Sequence, residues 1–159
     1  MSRSKRAKKR LAPADPVYGN RLVGRLINRA MKDGKKTIAQ KQVYKALEIV
    51  REKTKKDSIE ILRQSLDKIK PNMEVRPRRV GGTVYQVPMP VKGDRKEALA
   101  IRWLINSAQK RPNKKYHTFA EKLAVELLEA LKGEGEAIKK RNDTHKMADA
   151  NKAFAHFRW

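Results

Sequence analysis

The spacing of apolar residues along this chain switches from a helical to a strand period and back, and those switches define the expected elements. Val23, Leu26, Ile27 and Ala30 recur at i, i+3, i+4 and i+7, one face of a helix. Asn20 precedes them as a candidate N-cap, and Gly34 follows as a stop. Val43, Ala46, Leu47 and Val50 repeat the pattern beyond a Lys35-Lys36 loop. A third helix is predicted from Asp57, which caps while Glu60 reaches back, with Ile59, Leu62, Leu66 and Ile69 as its buried stripe. Pro71 ends it.

Over residues 73–91 the period falls to two. The segment reads as two strands about Gly81-Gly82, a pair that tolerates the positive φ of a tight hairpin turn. That turn fixes a register in which Val80 faces Thr83, Arg78 faces Tyr85 and Arg76 faces Val87. Pro77, Pro88 and Pro90 have no N–H for a ladder, so the element is expected to be an isolated ribbon. Helical spacing returns at Asp94, with Glu97 three residues on and Ala98, Ile101, Ile105 and Ala108 as the stripe. Thr118 and Glu121 form a second capping box ahead of Phe119, Leu123, Leu127 and Leu131, and Gly133 closes that helix. Residues 135–157 have helical propensity but few large apolar side chains, which predicts a surface helix. Met31, Met73, Met89 and Met147 are expected to fill gaps in the packing. The expected fold is mainly α: about six helices, one protruding β-hairpin between the third and fourth, and a basic N-terminal arm. The expected divisions are the arm at 1–15, a helical core at 16–134 with the ribbon at about 72–91, and a C-terminal surface helix and tail at 135–159.

Charge decides what such a body is for. Forty Lys and Arg face 17 Asp and Glu, a formal net charge of +23 in 159 residues, and the mean hydropathy is −0.81. A compact domain repels itself at that charge, so a polyanion is the expected partner. Nucleic acid ranks first, because each neutralised phosphate releases counterions. No apolar run approaches the ~18 residues of a spanning helix, so no membrane partner is expected. With no Cys, thiolate chemistry and Cys-ligated metal are excluded.

The basic residues fall in clusters. Arg3, Lys5, Arg6, Lys8, Lys9 and Arg10 crowd an arm too polar to order itself alone. Arg76, Arg78 and Tyr85 share one ribbon face, with Arg79 on the other, a combination suited to gripping phosphate and stacking on unpaired bases. Arg95, Lys96 and Arg102 lie near the start of the fourth helix, and Lys110, Arg111, Lys114 and Lys115 at its end, which gives two phosphate-binding edges. Each cluster taken singly also suits a solvated charged surface; the sum is too large for solvation alone. Trp103 is read as core before base-stacker, and Asp33-Gly34 as a turn. The carboxylates are read mostly as surface ion pairs among lysines.

An enzyme is not expected. His117, His145 and His156 are the only imidazoles, and a continuous helix would hold the last two ~16 Å apart. Neither H-x-x-x-H, nor G-x-S-x-G, nor a Walker loop occurs. An RNA-modifying enzyme would need a cofactor loop or catalytic cluster. A helix-turn-helix DNA regulator would need an exposed recognition helix after a short turn, and the spread of charge argues against a single groove.

At the ribbon the residues become familiar. MEVRPRRVGGTVYQVP at 73–88 closely resembles the signature of bacterial small-subunit ribosomal protein seven, and ALAIRWL at 98–104 is similar to that family's next helix. Asp15-Pro16, DGKK at 33–36 and MADANKAFAHFRW at 147–159 agree in order. Pro77 and Val84 depart from the family pattern, where a small polar residue and Thr are expected, and Gly93-Asp94 replaces a more basic or Pro-containing stretch. The resemblance implies a cytoplasmic constituent of the small ribosomal subunit that binds the 3′ major domain of its rRNA, nucleates head assembly, and lies near exit-site tRNA and the mRNA exit channel. It implies rRNA contacts from the arm, Lys35, Lys36, Arg76, Arg78, Arg95 and Arg102. It places the ribbon tip from Arg79 through Gly81 and Gly82 to Tyr85 near tRNA. It turns Lys139, Lys140, Arg141 and Lys146 toward small-subunit protein eleven, with protein nine as a neighbour in the head. No cofactor, metal or small-molecule substrate is expected.

Overall fold

The computed structural model describes residues 12–158, so the arm residues Arg3 to Arg10 lie outside the described part. Among the described residues there are six α-helices, one β-ribbon and a terminal 3-10 helix. In chain order they are α1 (Arg21–Ala30), α2 (Lys36–Thr54), α3 (Ser58–Ile69), β1 (Met73–Val80), β2 (Thr83–Pro90), α4 (Gly93–Lys110), α5 (Phe119–Lys132), α6 (Glu136–Ala150) and the 3-10 helix Lys152–Phe157. None of the helices is long and apolar enough to cross a membrane.

The ends of the helices follow from local chemistry. The Asn20 side chain accepts the Leu22 N–H at 2.8 Å and starts α1. Asp57 accepts the Ile59 N–H at 3.2 Å and starts α3. Glu60 does not complete a box there; its carboxylate accepts from Gln64 Nε2 at 3.0 Å, one turn along the same helix. At α5 the box forms: Thr118 Oγ1 accepts the Glu121 N–H at 3.3 Å, and Glu121 accepts the His117 N–H at 3.0 Å. Gly133, at φ +90°, ends α5. Its N–H reaches the Ala130 carbonyl and that of Glu134 the Glu129 carbonyl, a Schellman closure.

Helix α5 is the centre of the body, packed against α2, α3 and α4. Leu123, Ala124 and Leu127 meet Val43, Leu47 and Val50 of α2, Leu62 and Leu66 of α3 and Leu104 and Ile105 of α4 in one continuous core. Ser65, buried within it, donates to the Leu127 carbonyl at 3.0 Å, so the hydroxyl is not left unsatisfied. Gly24 of α1 is needed for a different reason: a Cβ there would come within 2.7 Å of the Pro13 carbonyl oxygen. That contact presses residues 13–15 onto α1 and fixes where the N-terminal segment leaves the body.

Five expectations are corrected. Lys36 is the first residue of α2, so only Lys35 belongs to the preceding loop. In α3 the buried stripe uses Ile61, with Ile59 only half-buried. In α4, Ala98 is exposed, and Leu99, Ala100 and Leu104 join the core instead. Met147 is 47% exposed and fills no gap. The ribbon is not isolated: α6 packs against β1, and the 3-10 helix packs against β2. The ribbon register itself is as the turn dictated, with Arg76 opposite Val87, Arg78 opposite Tyr85 and Val80 opposite Thr83. Gly81 and Gly82 hold φ of +56° and +88°, the positive angles of a two-residue hairpin turn.

Candidate nucleic-acid interface

The ribbon and the two ends of α4 carry the candidate interface. Alternate residues of a strand share a face, so Glu74, Arg76 and Arg78 of β1 lie beside Tyr85 and Val87 of β2. This face is turned partly inward, because Glu74 and Val87 are buried. Arg76 Nε donates to Glu74 Oε1 at 2.5 Å. From the first turn of α4, Arg95 Nε donates to both oxygens of the same carboxylate, at 2.9 and 2.8 Å. Burial pushes the Glu74 carboxyl up, but the bonds from Arg95 and Arg76 outweigh it and hold it below the ordinary carboxylate value. Lys96 Nζ donates to Asn72 Oδ1 at 3.1 Å, and the Asn72 N–H donates to His145 Nε2 of α6 at 3.0 Å. The base of the ribbon is thus tied to both α4 and α6.

Tyr85 does not present an open ring. Its centroid lies 5.2 Å from that of Phe154 and 5.1 Å from that of Phe157, in tilted contacts. The terminal 3-10 helix therefore covers the aromatic part of the predicted stacking surface. Arg79, on the opposite ribbon face, is exposed beside Val84. Gly81 and Gly82 are exposed at the tip, and Arg78 is half-buried.

On α4, Arg102 is exposed on the helix flank and Lys110 at its end, followed by exposed Lys114 and Lys115. Arg111 differs from these neighbours. Its side chain is only 13% exposed, with Nε and Nη2 on Glu126 at 2.8 and 2.5 Å and Nη1 and Nη2 on Glu129. Burial opposes its charge, but the two carboxylates more than compensate and raise its pKa. The Arg111 guanidinium is thus held inside the body. Lys122, also buried, donates to the Arg111 carbonyl and to Asn113 Oδ1.

Lys35 and Lys36 are exposed where α2 begins. On α6, Lys139, Lys140 and Lys146 are exposed, whereas Arg141 is half-buried, with Nη1 on the Lys68 carbonyl at the end of α3. Between α4 and α6 runs a groove of about 470 Å³ lined by Trp103, Asn106, Lys110, Lys139, Lys140 and Asp143. Trp103 packs against the core from one side and lines this groove from the other.

Sequence reasoning missed three buried acids. Asp15 caps the turn after it and accepts the Tyr44 hydroxyl at 2.7 Å. Glu126 is fully buried, and Glu74 joins two arginines. For Glu74 a signal was present: an acid two residues from Arg76 on one strand face, in a strand otherwise basic. For Glu126 none was, since it sits among lysines and leucines like any surface helix acid. No cluster of His, Asp or Glu that could hold a metal occurs among the described residues.

Residues 2–152 match the family described as ribosomal protein S7p/S5e. The small ribosomal subunit protein uS7 of Thermotoga maritima is 56% identical over 157 residues, 99% of each chain. The proteins of the same name from Caldicellulosiruptor saccharolyticus and Paracoccus denitrificans are each 53% identical over 159 residues, with both chains covered in full. A ribbon hinged on α4 and α6, basic edges along α4 and end-to-end identity of more than half together leave one conclusion: this chain belongs to the ribosomal protein S7p/S5e family.

Proposed function

We propose that the protein is a structural, RNA-binding constituent of the small ribosomal subunit, with no catalytic role, that clamps the 3′ major domain of the subunit's rRNA and nucleates assembly of its head. The observation that carries this reading is the placement of exposed cations at both ends of one rigid helix. Arg95 lies in the first turn of α4, Arg102 midway along its flank, and Lys110, Lys114 and Lys115 at or beyond its end. Arg95 and Lys110 are about 22 Å apart along the helix at its standard rise. Charges that far apart on a helix buried along its core face can hold two RNA strands at a set separation. Lys35 and Lys36 at the start of α2 add a further basic edge.

In this reading the contacts go mainly to phosphate and shape, since A-form RNA hides its major groove from side chains. The arm from Arg3 to Arg10 contacts rRNA. The ribbon tip, Arg79 to Tyr85, reaches toward exit-site tRNA, and α6 with Lys139, Lys140, Arg141 and Lys146 faces the mRNA exit channel and small-subunit protein eleven. Protein nine is the neighbour inside the head. Arg111 is left out of the rRNA surface, because Glu126 and Glu129 hold its guanidinium.

Chemical footprinting of the purified protein on full-length small-subunit rRNA tests the reading. Protections confined to the 3′ major domain are expected. Protections scattered over all domains, or none, would refute it.

A further inference from the structure

We propose that Glu74 is the positioning residue of this interface: its buried carboxylate sets Arg76 of the ribbon and Arg95 of α4 into one phosphate-gripping pair. The inference rests on the RNA-binding reading and names the part that organises it. Glu74 is 9% exposed, while Arg76 and Arg95 remain 47% and 50% exposed. The carboxylate takes Nε of Arg76 and the Nε and Nη2 edge of Arg95, the latter at 2.8 Å. Each guanidinium is thus fixed on its inner edge and still half open to solvent. Guanidinium planes held in one orientation make forked bonds to phosphate with less entropy lost than free ones.

Glu74 also bears on how α4 begins. Arg95 and Lys96 stand in the first turn of α4, where the positive end of the helix dipole disfavours cations. Lys92 makes no side-chain capping bond there, and Asp94, the acid of that turn, pairs with Arg25. Glu74 offsets the charge of Arg95. It also links β1 to α4 across 21 residues of sequence.

The sign of the effect separates positioning from simple charge. Glu74→Gln removes a negative charge beside an RNA surface, so charge counting predicts equal or tighter binding. Positioning predicts weaker binding, by about tenfold, or ~1.4 kcal/mol. Affinity for a transcript of the rRNA 3′ major domain is measured across salt concentrations for wild type, Glu74→Gln, Glu52→Gln as an exposed-acid control on α2, and Arg76→Ala plus Arg95→Ala. Glu74→Gln should bind more weakly, with a salt slope shallower by up to ~1.8, two phosphate contacts. Glu52→Gln should bind as wild type or slightly tighter. Glu74→Gln added to the double arginine variant should cost nothing more. Equal or tighter binding by Glu74→Gln, or an unchanged slope, overturns the proposal. If Glu74→Gln does not fold by circular dichroism, Glu74→Asp, which keeps the charge but shortens its reach, carries the test: weaker binding supports positioning and wild-type binding overturns it. If the wild type itself does not select the transcript, the RNA-binding reading fails instead.

Discussion

Arg111 and Glu126 form a forked ion pair in which Nε and Nη2 of the guanidinium both donate to Glu126 Oε2. The other oxygen of Glu126 accepts the Ala137 N–H at 2.9 Å. One fully buried carboxylate therefore joins the end of α4 to the start of α6. Such a pair adds little net stability over an apolar replacement, but losing one partner strands the other. Glu126→Ala should cost about 3–5 kcal/mol in urea unfolding. Glu129→Ala, at a carboxylate half exposed and outside the fully buried link, should cost less, about 1 kcal/mol. Equal costs would show that Glu126 is not the anchor.

Tyr44 and Asp15 give a pH dependence at the alkaline end. Burial, then the hydroxyl's bond to Asp15, push the Tyr44 phenol up to about 12 from its usual 10.0. A raised pKa means the folded state holds the proton more tightly. Its contribution is complete below pH 10 and is lost as pH rises toward about 12. Tyr44→Phe should lower stability at pH 7 by about 1 kcal/mol and flatten the decline over that window. A Tyr44→Phe profile parallel to wild type would contradict the assignment.

The aromatic contacts of Tyr85 with Phe154 and Phe157 hold the terminal 3-10 helix on the ribbon. The core of the body does not depend on them. Tyr85→Ala should speed hydrogen exchange in β2 and in residues 152–157 while leaving protection of α5 unchanged. Loss of protection throughout the molecule would show that the ribbon and core unfold as one unit.

The ribbon tip and the body are proposed to serve different RNAs. Arg78→Ala plus Arg79→Ala should weaken retention of exit-site tRNA on reconstituted subunits more than binding to rRNA. Equal loss in the two assays would refute that division.

What was legible in the sequence follows from which interactions are local. The Gly81-Gly82 turn settles the pairing of Arg78 with Tyr85, because a two-residue loop leaves one register. Asn20, Asp57 and Thr118 cap their helices with bonds that span two or three residues. The mistakes are long-range. Lys110 and Arg111 look alike in a basic run, yet only one faces Glu126, and that depends on how α5 packs against the end of α4. Nothing near Tyr85 in sequence says that Phe154 and Phe157 return to cover it, about seventy residues on. Periodicity puts Ala98 in the stripe, but Leu99 takes that place because α4 turns a broader face to the core than one stripe.

Exposed cations spread over a rigid helical body are proposed to clamp one particular RNA. The most direct test is the affinity of the purified protein for transcripts of the 3′ major domain and of another small-subunit rRNA domain, titrated from low salt to about 150 mM. The account predicts a preference for the 3′ major domain that persists at the higher salt, with affinity falling linearly on logarithmic axes as phosphate contacts are screened. Equal affinity for the two transcripts at about 150 mM salt would contradict it.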